Sequence, residues 1–320
     1  MTPLILDVDT GIDDAFGLLY ALAAQDVNLL GVSAVAGNVS LDKATRNTRA
    51  VLALAGRADI PVWPGAAAPL IGAVADASDI HGASGLGYAV LPEPAPVAEA
   101  THAIDAILEA SQEYEGRLIL VATGPLTNIA LAIARDPALP RRLARFVAMG
   151  GVFRESGNVT AAAEFNIWHD PEAARIVLRA FSQDGAGAAI LVGLDVTRRT
   201  VLTPADLEGL AMRCADRPRG PALTTFLNDA ARFYFELMQR RGRAAGLVMH
   251  DPLAVAVALD PSLVRTQAVP VDVETRGELT RGQTLADFRG QAGRIGVALE
   301  VDAARFVGLY LASIERLARG

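Results

Sequence analysis

The stretch LILDVDTGIDDAFGLL, Leu4–Leu19, carries four carboxylates, Asp7, Asp9, Asp13 and Asp14, between two apolar runs. The first run, Pro3–Val8, reads as a buried strand. Gly11 offers a tight turn, and Asp13–Ala24 has the spacing of a helix. Strand, turn and helix in that order open a β-α unit. Carboxylates this close repel one another, and burial raises the cost. The positive end of a helix dipole favours Asp13 and Asp14 but does not neutralise three carboxylates. A divalent cation does. The run holds no Cys or His, so every donor is a hard oxygen, which suits Ca²⁺ or Mg²⁺ better than Zn²⁺. The competing reading has Asp13 or Asp14 capping the helix while Asp7 and Asp9 pair with arginines.

Outward from this stretch the rhythm repeats. Asn28–Val35, Leu118–Ala122, Phe146–Met149 and Ala189–Leu194 read as buried strands. Leu41–Ala55, Leu126–Arg135, Pro171–Phe181, Pro204–Cys214 and Asp302–Leu317 read as helices. Alternating β and α elements predict one α/β domain over residues 1–320, with a mostly parallel central sheet, a Rossmann-like core, flanked by helices. The segments VPVDVE and GELTRGQTLADF after Val264 predict a small antiparallel extension. Two longer irregular stretches interrupt the rhythm. One runs from Pro64 to about Pro96 and contains HGASGLG, His81–Gly87; the other follows Gly220 and leads through a helix to LVMHDPLAVA. Such loops in a compact domain are commonly lids or binding loops.

The 320 residues include 29 basic and 36 acidic side chains, a net charge of −7. That balance gives no electrostatic basis for binding nucleic acid or an anionic membrane. No apolar run reaches the roughly 18 residues of a transmembrane helix. Cys214 is the single cysteine, and no basic, apolar leader precedes the first strand, so a cytoplasmic setting is expected.

In sheets of this kind ligands bind beyond the carboxyl ends of the strands. Asp9, Asn38 and Thr123 close three of the predicted strands. Asn158, Glu164 and Asn166 follow a fourth, and His250-Asp251 precede a helix begun by Pro252. Each has a bland reading: an Asn in a loop is commonly a turn residue, Glu164 a surface charge, and an isolated His a satisfied core imidazole. Their recurrence at successive strand ends points to one site.

DVDTGIDDA resembles the D-x-D-x-G-x-D-D-A signature of the nucleoside hydrolases, the inosine-uridine type included. AGN, HGxxG, ATGPLTNIA, MGG, GN…AEFN, DPEAA, GLDVT, HDPLAVA and VPVDVE…G follow in family order over nearly the whole chain. The resemblance implies a parallel α/β fold, a bound Ca²⁺ and hydrolysis of ribonucleosides of the inosine, uridine and cytidine type. A metal-held water would be the nucleophile, and the products free base and ribose, as in purine and pyrimidine salvage. Carried over by position, it implies Asp9, Asp14, Asp251 and the Thr123 carbonyl as metal ligands. Asp13, Asn38, Glu164 and Asn166 would hold ribose hydroxyls, with Asn158 near the 5′-hydroxyl and Met149 against the ring. Asp9 would take the water's proton and His250 would serve the departing base, with His81 and Tyr234 in the base-facing loops. A homodimer or homotetramer is also implied. Asp7 has no direct role in this scheme beyond support by hydrogen bonds.

Three positions depart from the family pattern. Thr10 stands where many members carry Pro, Ala83 where an acidic residue is common, and Met238 one turn after Tyr234 where a second aromatic is frequent. Two readings compete with the hydrolase: the same fold acting on a modified nucleoside or nicotinamide riboside, and a non-catalytic nucleoside-binding protein. A phosphate-transfer enzyme with an aspartate nucleophile needs a lysine late in the site, and Lys43 is the only lysine.

Overall fold

The computed structural model describes residues 1–95, 101–290 and 293–320. Its strands are β1 (Thr2–Val8), β2 (Val27–Ala34), β3 (Val62–Pro64), β4 (Leu118–Ala122), β5 (Leu143–Met149), β6 (Ala188–Val192), β7 (Val201–Leu202), β8 (Leu247–Val248), β9 (Val264–Val269), β10 (Val271–Val273), β11 (Thr284–Ala286) and β12 (Ile295–Val301). Among the described residues eight of these form one sheet in the order β3-β2-β1-β4-β5-β6-β12-β9. All its neighbours run parallel except β12 and β9. The predicted extension is the antiparallel pair β10-β11.

The period-2 alternation of β1 divides the core. Leu4, Leu6 and Val8 pack on one face with Phe16 and Tyr310. Ile5 packs on the other with Leu120, Phe146 and Phe181, as alternation of side chains along a strand requires. On the first face lie the helices Ile12–Ala23, His250–Leu259 and Ala303–Leu317, which pack against one another. On the second, Thr127–Arg135 packs against Pro171–Phe181.

Strand order reverses at β1. From there the chain runs outward through β2 and β3, then returns to β4 on the opposite side of β1. At such a reversal the following loops diverge to opposite faces and leave a crevice beyond the carboxyl ends. The crevice lies after Val8 and Ala122, and Asp9 and Thr123 are the first residues beyond it.

The predicted elements are present with ends shifted by at most three residues, as ends commonly are. Leu194 belongs to the short helix Leu194–Thr197, not to β6. The helix Ala103–Glu113 and the strands β3, β9 and β12 add to the predicted set. β9 exposes most of its residues at the sheet edge and lacks an alternating apolar face; its pairing with β12 defines it. The long loop is described as far as Ala95, with the short helix Ser78–His81 inside it; its end at Pro96 lies outside the described residues.

Phe146 is fully buried on β5 and stacks on Phe181 with ring centroids 4.5 Å apart. Phe146→Ala removes that contact and leaves a cavity in the second core. Urea unfolding is expected to show a loss of about 3–5 kcal/mol; a loss below about 1 kcal/mol would contradict this account of the core.

Candidate active site

Four strand ends and one helix start converge on a cleft of about 490 Å³. Asp9 leaves β1 fully buried. Its Oδ2 accepts the Asn38 backbone N–H at 2.6 Å, and its Oδ1 accepts from Asn38 Nδ2 at 3.2 Å. The loop after β2 approaches so closely that a Cβ on Gly37 would lie 2.1 Å from Asp9 Oδ2. Only glycine leaves that carboxylate its place.

Asp14 sits in the first turn of the Ile12–Ala23 helix, and the bland reading is partly right there. Its Oδ2 accepts the Gly11 N–H at 2.9 Å and so satisfies a free donor of the helix start. The same oxygen accepts from Asn38 Nδ2 at 3.1 Å, and its Oδ1 from Thr123 Oγ1 at 2.8 Å. The competing reading, in which Asp7 and Asp9 pair with arginines, is not what holds them. Asp7 Oδ1 accepts from Ser33 Oγ at 2.6 Å and Asn128 Nδ2 at 2.8 Å.

Asp251 enters from the His250–Leu259 helix, which packs on Ile12–Ala23. Oxygens of Asp13, Asp14 and Asp251 lie within 4.8 Å of one another, all buried. Asp13 Oδ1 has no hydrogen-bond partner among the described residues. Burial, followed by the neighbouring Asp14 charge, pushes Asp13 up to about 7. Burial likewise raises Asp9 and Asp251 well above the usual carboxylate range, with the neighbouring aspartates adding to it. Asp7 is also pushed up to about 7, by burial above all. Buried oxygens crowded together, one of them unpartnered, fit a hard divalent cation. The closest cluster includes Asp13, which the family pattern assigned to ribose. The Thr123 carbonyl, expected as a ligand, accepts from Asn166 Nδ2 at 2.7 Å.

The neutral polar residues frame this cluster. Asn166 Nδ2 also reaches the Met149 carbonyl at 3.1 Å. Glu164 caps the short Phe165–His169 helix and accepts from the N–H groups of Asn166 and Ile167. A third bond from Gly151 at 3.0 Å turns it into the cleft. Burial raises Glu164 despite these bonds. Asn158 Oδ1 accepts from Phe165 N at 2.9 Å. Glu164, Asn166, Asn38, Met149 and Asn158 all line the cleft.

The opposite wall carries His81, Tyr234 and His250. His81 Nδ1 accepts the Ile12 N–H at 3.0 Å and so ties the loop helix Ser78–His81 to the start of Ile12–Ala23. Burial pushes His81 down to about 4 and His250 down to about 3, so both imidazoles are neutral near pH 7. His250 Nδ1 lies 2.7 Å from Thr197 Oγ1. All residues expected at the site are thus in or directly beside one cleft. Sequence reasoning assigned no part to Thr197, Asn128, Ser33, Arg198, Arg241 or Arg243. Thr197 lies in the GLDVT motif, and Asn128 in ATGPLTNIA; the motifs themselves were the available signal.

The sequence model of the family described as inosine-uridine preferring nucleoside hydrolase matches residues 4–308. The chain is 38% identical over 319 residues to the inosine-uridine preferring nucleoside hydrolase of Crithidia fasciculata, covering 98% of each chain. It is 38% identical over 321 residues to the pyrimidine-specific ribonucleoside hydrolase RihA of an Enterobacter strain, covering 99% of this chain and 98% of that one. In structure it superposes on the purine-preferring ribonucleoside hydrolase from Gardnerella vaginalis with a TM-score of 0.91 and 33% identity, covering 99% of both chains.

The raised carboxylates set a pH dependence for the metal-stripped protein. A carboxyl whose folded value lies above its unfolded value contributes stability at low pH that is lost as pH rises through the folded value. For Asp7 and Asp13 that loss begins near the ordinary carboxylate range and is completed as pH rises through about 7. The buried histidines oppose it only below about pH 6.5, where unfolded imidazoles protonate. The melting temperature of chelated protein is therefore expected to rise as pH falls from 8 to 6.5. Saturating divalent cation should raise it more at pH 8 than at pH 6.5. A chelated protein that melts at the same temperature across this window would count against the crowded-carboxylate account.

Proposed function

The chain belongs to the inosine-uridine preferring nucleoside hydrolase family, and from that premise we propose Ca²⁺-dependent hydrolysis of the N-glycosidic bond of inosine-, uridine- and cytidine-type ribonucleosides. It is a ribonucleoside N-glycosidase; the ion and the individual residue roles are our reading. The observation that carries it is the buried, partly unpartnered carboxylate cluster at the strand-order reversal, framed by Asn38, Glu164 and Asn166.

Asp9, Asp14, Asp251 and the Thr123 carbonyl would hold Ca²⁺, which supplies positive charge to orient and acidify water and to engage the ribose diol. Asp13 lies close enough to share that role. Asn38, Glu164 and Asn166 hold ribose hydroxyls, and Met149 packs against the ring. Asn158 stands at the 5′ end. N-ribosidic cleavage builds positive charge on the sugar, and the surrounding carboxylates favour that state over the neutral ground state. Asp9 takes the proton of the water that adds to C1′. Its two bonds from Asn38 fix its direction.

His250 faces the base end of the same cleft. As a neutral imidazole oriented by Thr197, it donates a hydrogen bond to the departing base from Nε2 when Nδ1 accepts from the Thr197 hydroxyl. It does not act as a pre-charged acid, because burial holds it far below pH 7.

Ribose release from uridine, inosine and cytidine, measured after exhaustive chelation and again with Ca²⁺ restored, tests this reading. Release that disappears on chelation and returns with Ca²⁺ is expected. Release unaffected by chelation, or restored by no divalent ion, would overturn the metal assignment. Asp9→Ala should lower kcat by about 10²–10⁴, the range of a lost general base. His250→Ala should reduce inosine turnover far more than that of p-nitrophenyl riboside, whose leaving group needs little help. Equal losses on both would remove His250 from the leaving-group role.

A further inference from the structure

The cleft is electrically polar from floor to rim. Its floor holds Asp13, Asp251 and Glu164, with Asp9 and Asp14 beneath. Its rim holds the guanidinium groups of Arg198, Arg241 and Arg243. Two of these are already engaged. Arg198 donates to the carbonyls of Ser156 at 2.8 Å and Gly157 at 3.0 Å and pairs with Glu155 at 3.2 Å. Arg241 faces Asp79 of the loop helix at 3.7 Å. The Arg243 side chain has neither a hydrogen bond nor an ion pair among the described residues, so its charge is the uncompensated one. All three arginines line the same cleft as Tyr234 and His250, the two side chains at the base end.

If the ribose diol lies on the acidic floor, as the proposed function has it, the base projects toward this rim. The inference rests on that reading. Heterolysis of the C1′–N bond sends both bonding electrons to the base nitrogen and leaves the sugar positive. Water then forms the C1′–O bond, Asp9 takes one of its protons, and the departed base gains a proton from solvent. Negative charge thus appears at the rim and positive charge at the floor, along the field the protein already provides.

We propose that Arg243, backed by Arg198 and Arg241, is a specificity-determining residue that selects ribosides whose base departs as an anion and rejects those whose base is cationic before cleavage. Uridine and inosine belong to the first class. Nicotinamide riboside, whose pyridinium leaves as a neutral molecule, belongs to the second. Removing the charge weakens the pull on an anionic leaving group and lifts the repulsion of a cationic base, so the two classes respond in opposite directions.

The test is kcat/KM for uridine and for nicotinamide riboside with wild type, Arg243→Gln and Arg243→Lys, all Ca²⁺-loaded. The ratio of uridine to nicotinamide riboside is expected to fall at least tenfold in Arg243→Gln and to be largely kept in Arg243→Lys. An equal loss on both substrates marks a structural effect and overturns the proposal. An unchanged ratio also overturns it. A wild-type protein that releases ribose from no nucleoside overturns the proposed function first, and this inference with it; an active wild type with an unchanged ratio overturns this inference alone.

Discussion

Mutual repulsion among carboxylates buried at the end of β1 is the constraint on which the rest of the site depends. Asp9, Asp13, Asp14 and Asp251 are withdrawn from water where the dielectric no longer screens them. The chain spends its local design on holding them there. Gly37 has no side chain, so that Asp9 can stay. Asn38 bridges Asp9 to Asp14, Thr123 donates to Asp14, and the Gly11 N–H completes that set. Beneath them Ser33 and Asn128 take up one oxygen of Asp7. Every one of these partners is neutral. None supplies positive charge, and a divalent cation would offset the repulsion among these anions.

The sheet explains why such a group can be assembled at all. Parallel strands deliver their carboxyl ends to one edge, and the order reversal at β1 opens a crevice there. Residues distant in sequence, from Asp9 to Asp251, arrive at that crevice because each follows a strand or begins a helix that packs beside β1. Once the reversal is in place, the polar residues at strand ends need little further machinery to meet.

Much of this was legible in the sequence. The apolar runs of β1, β4 and β6 and the helix Pro171–Phe181 announce a parallel sheet, because both faces of each strand are buried. The Asp9, Asp13 and Asp14 spacing announces a cation. What stayed hidden has physical reasons. β9 is an exposed edge strand whose identity comes from pairing with β12, and pairing leaves no local pattern. The clustering of Asp13 with Asp14 and Asp251 depends on how two helices pack, which is a tertiary matter. His250 reads by position as serving the departing base, and only the folded structure shows that burial holds its imidazole neutral. The rim arginines carry no motif, since Arg198 and Arg243 come from loops that only the folded chain brings together.

The most direct test of the cation claim is calorimetric titration of chelated protein with Ca²⁺ at pH 7, in two buffers of different ionisation enthalpy. The account predicts one ion per chain, bound with release of protons, because carboxylates held above their usual range must give up protons to ligate it. Absence of binding, or binding without proton release, would contradict the claim that crowding among these aspartates creates the site.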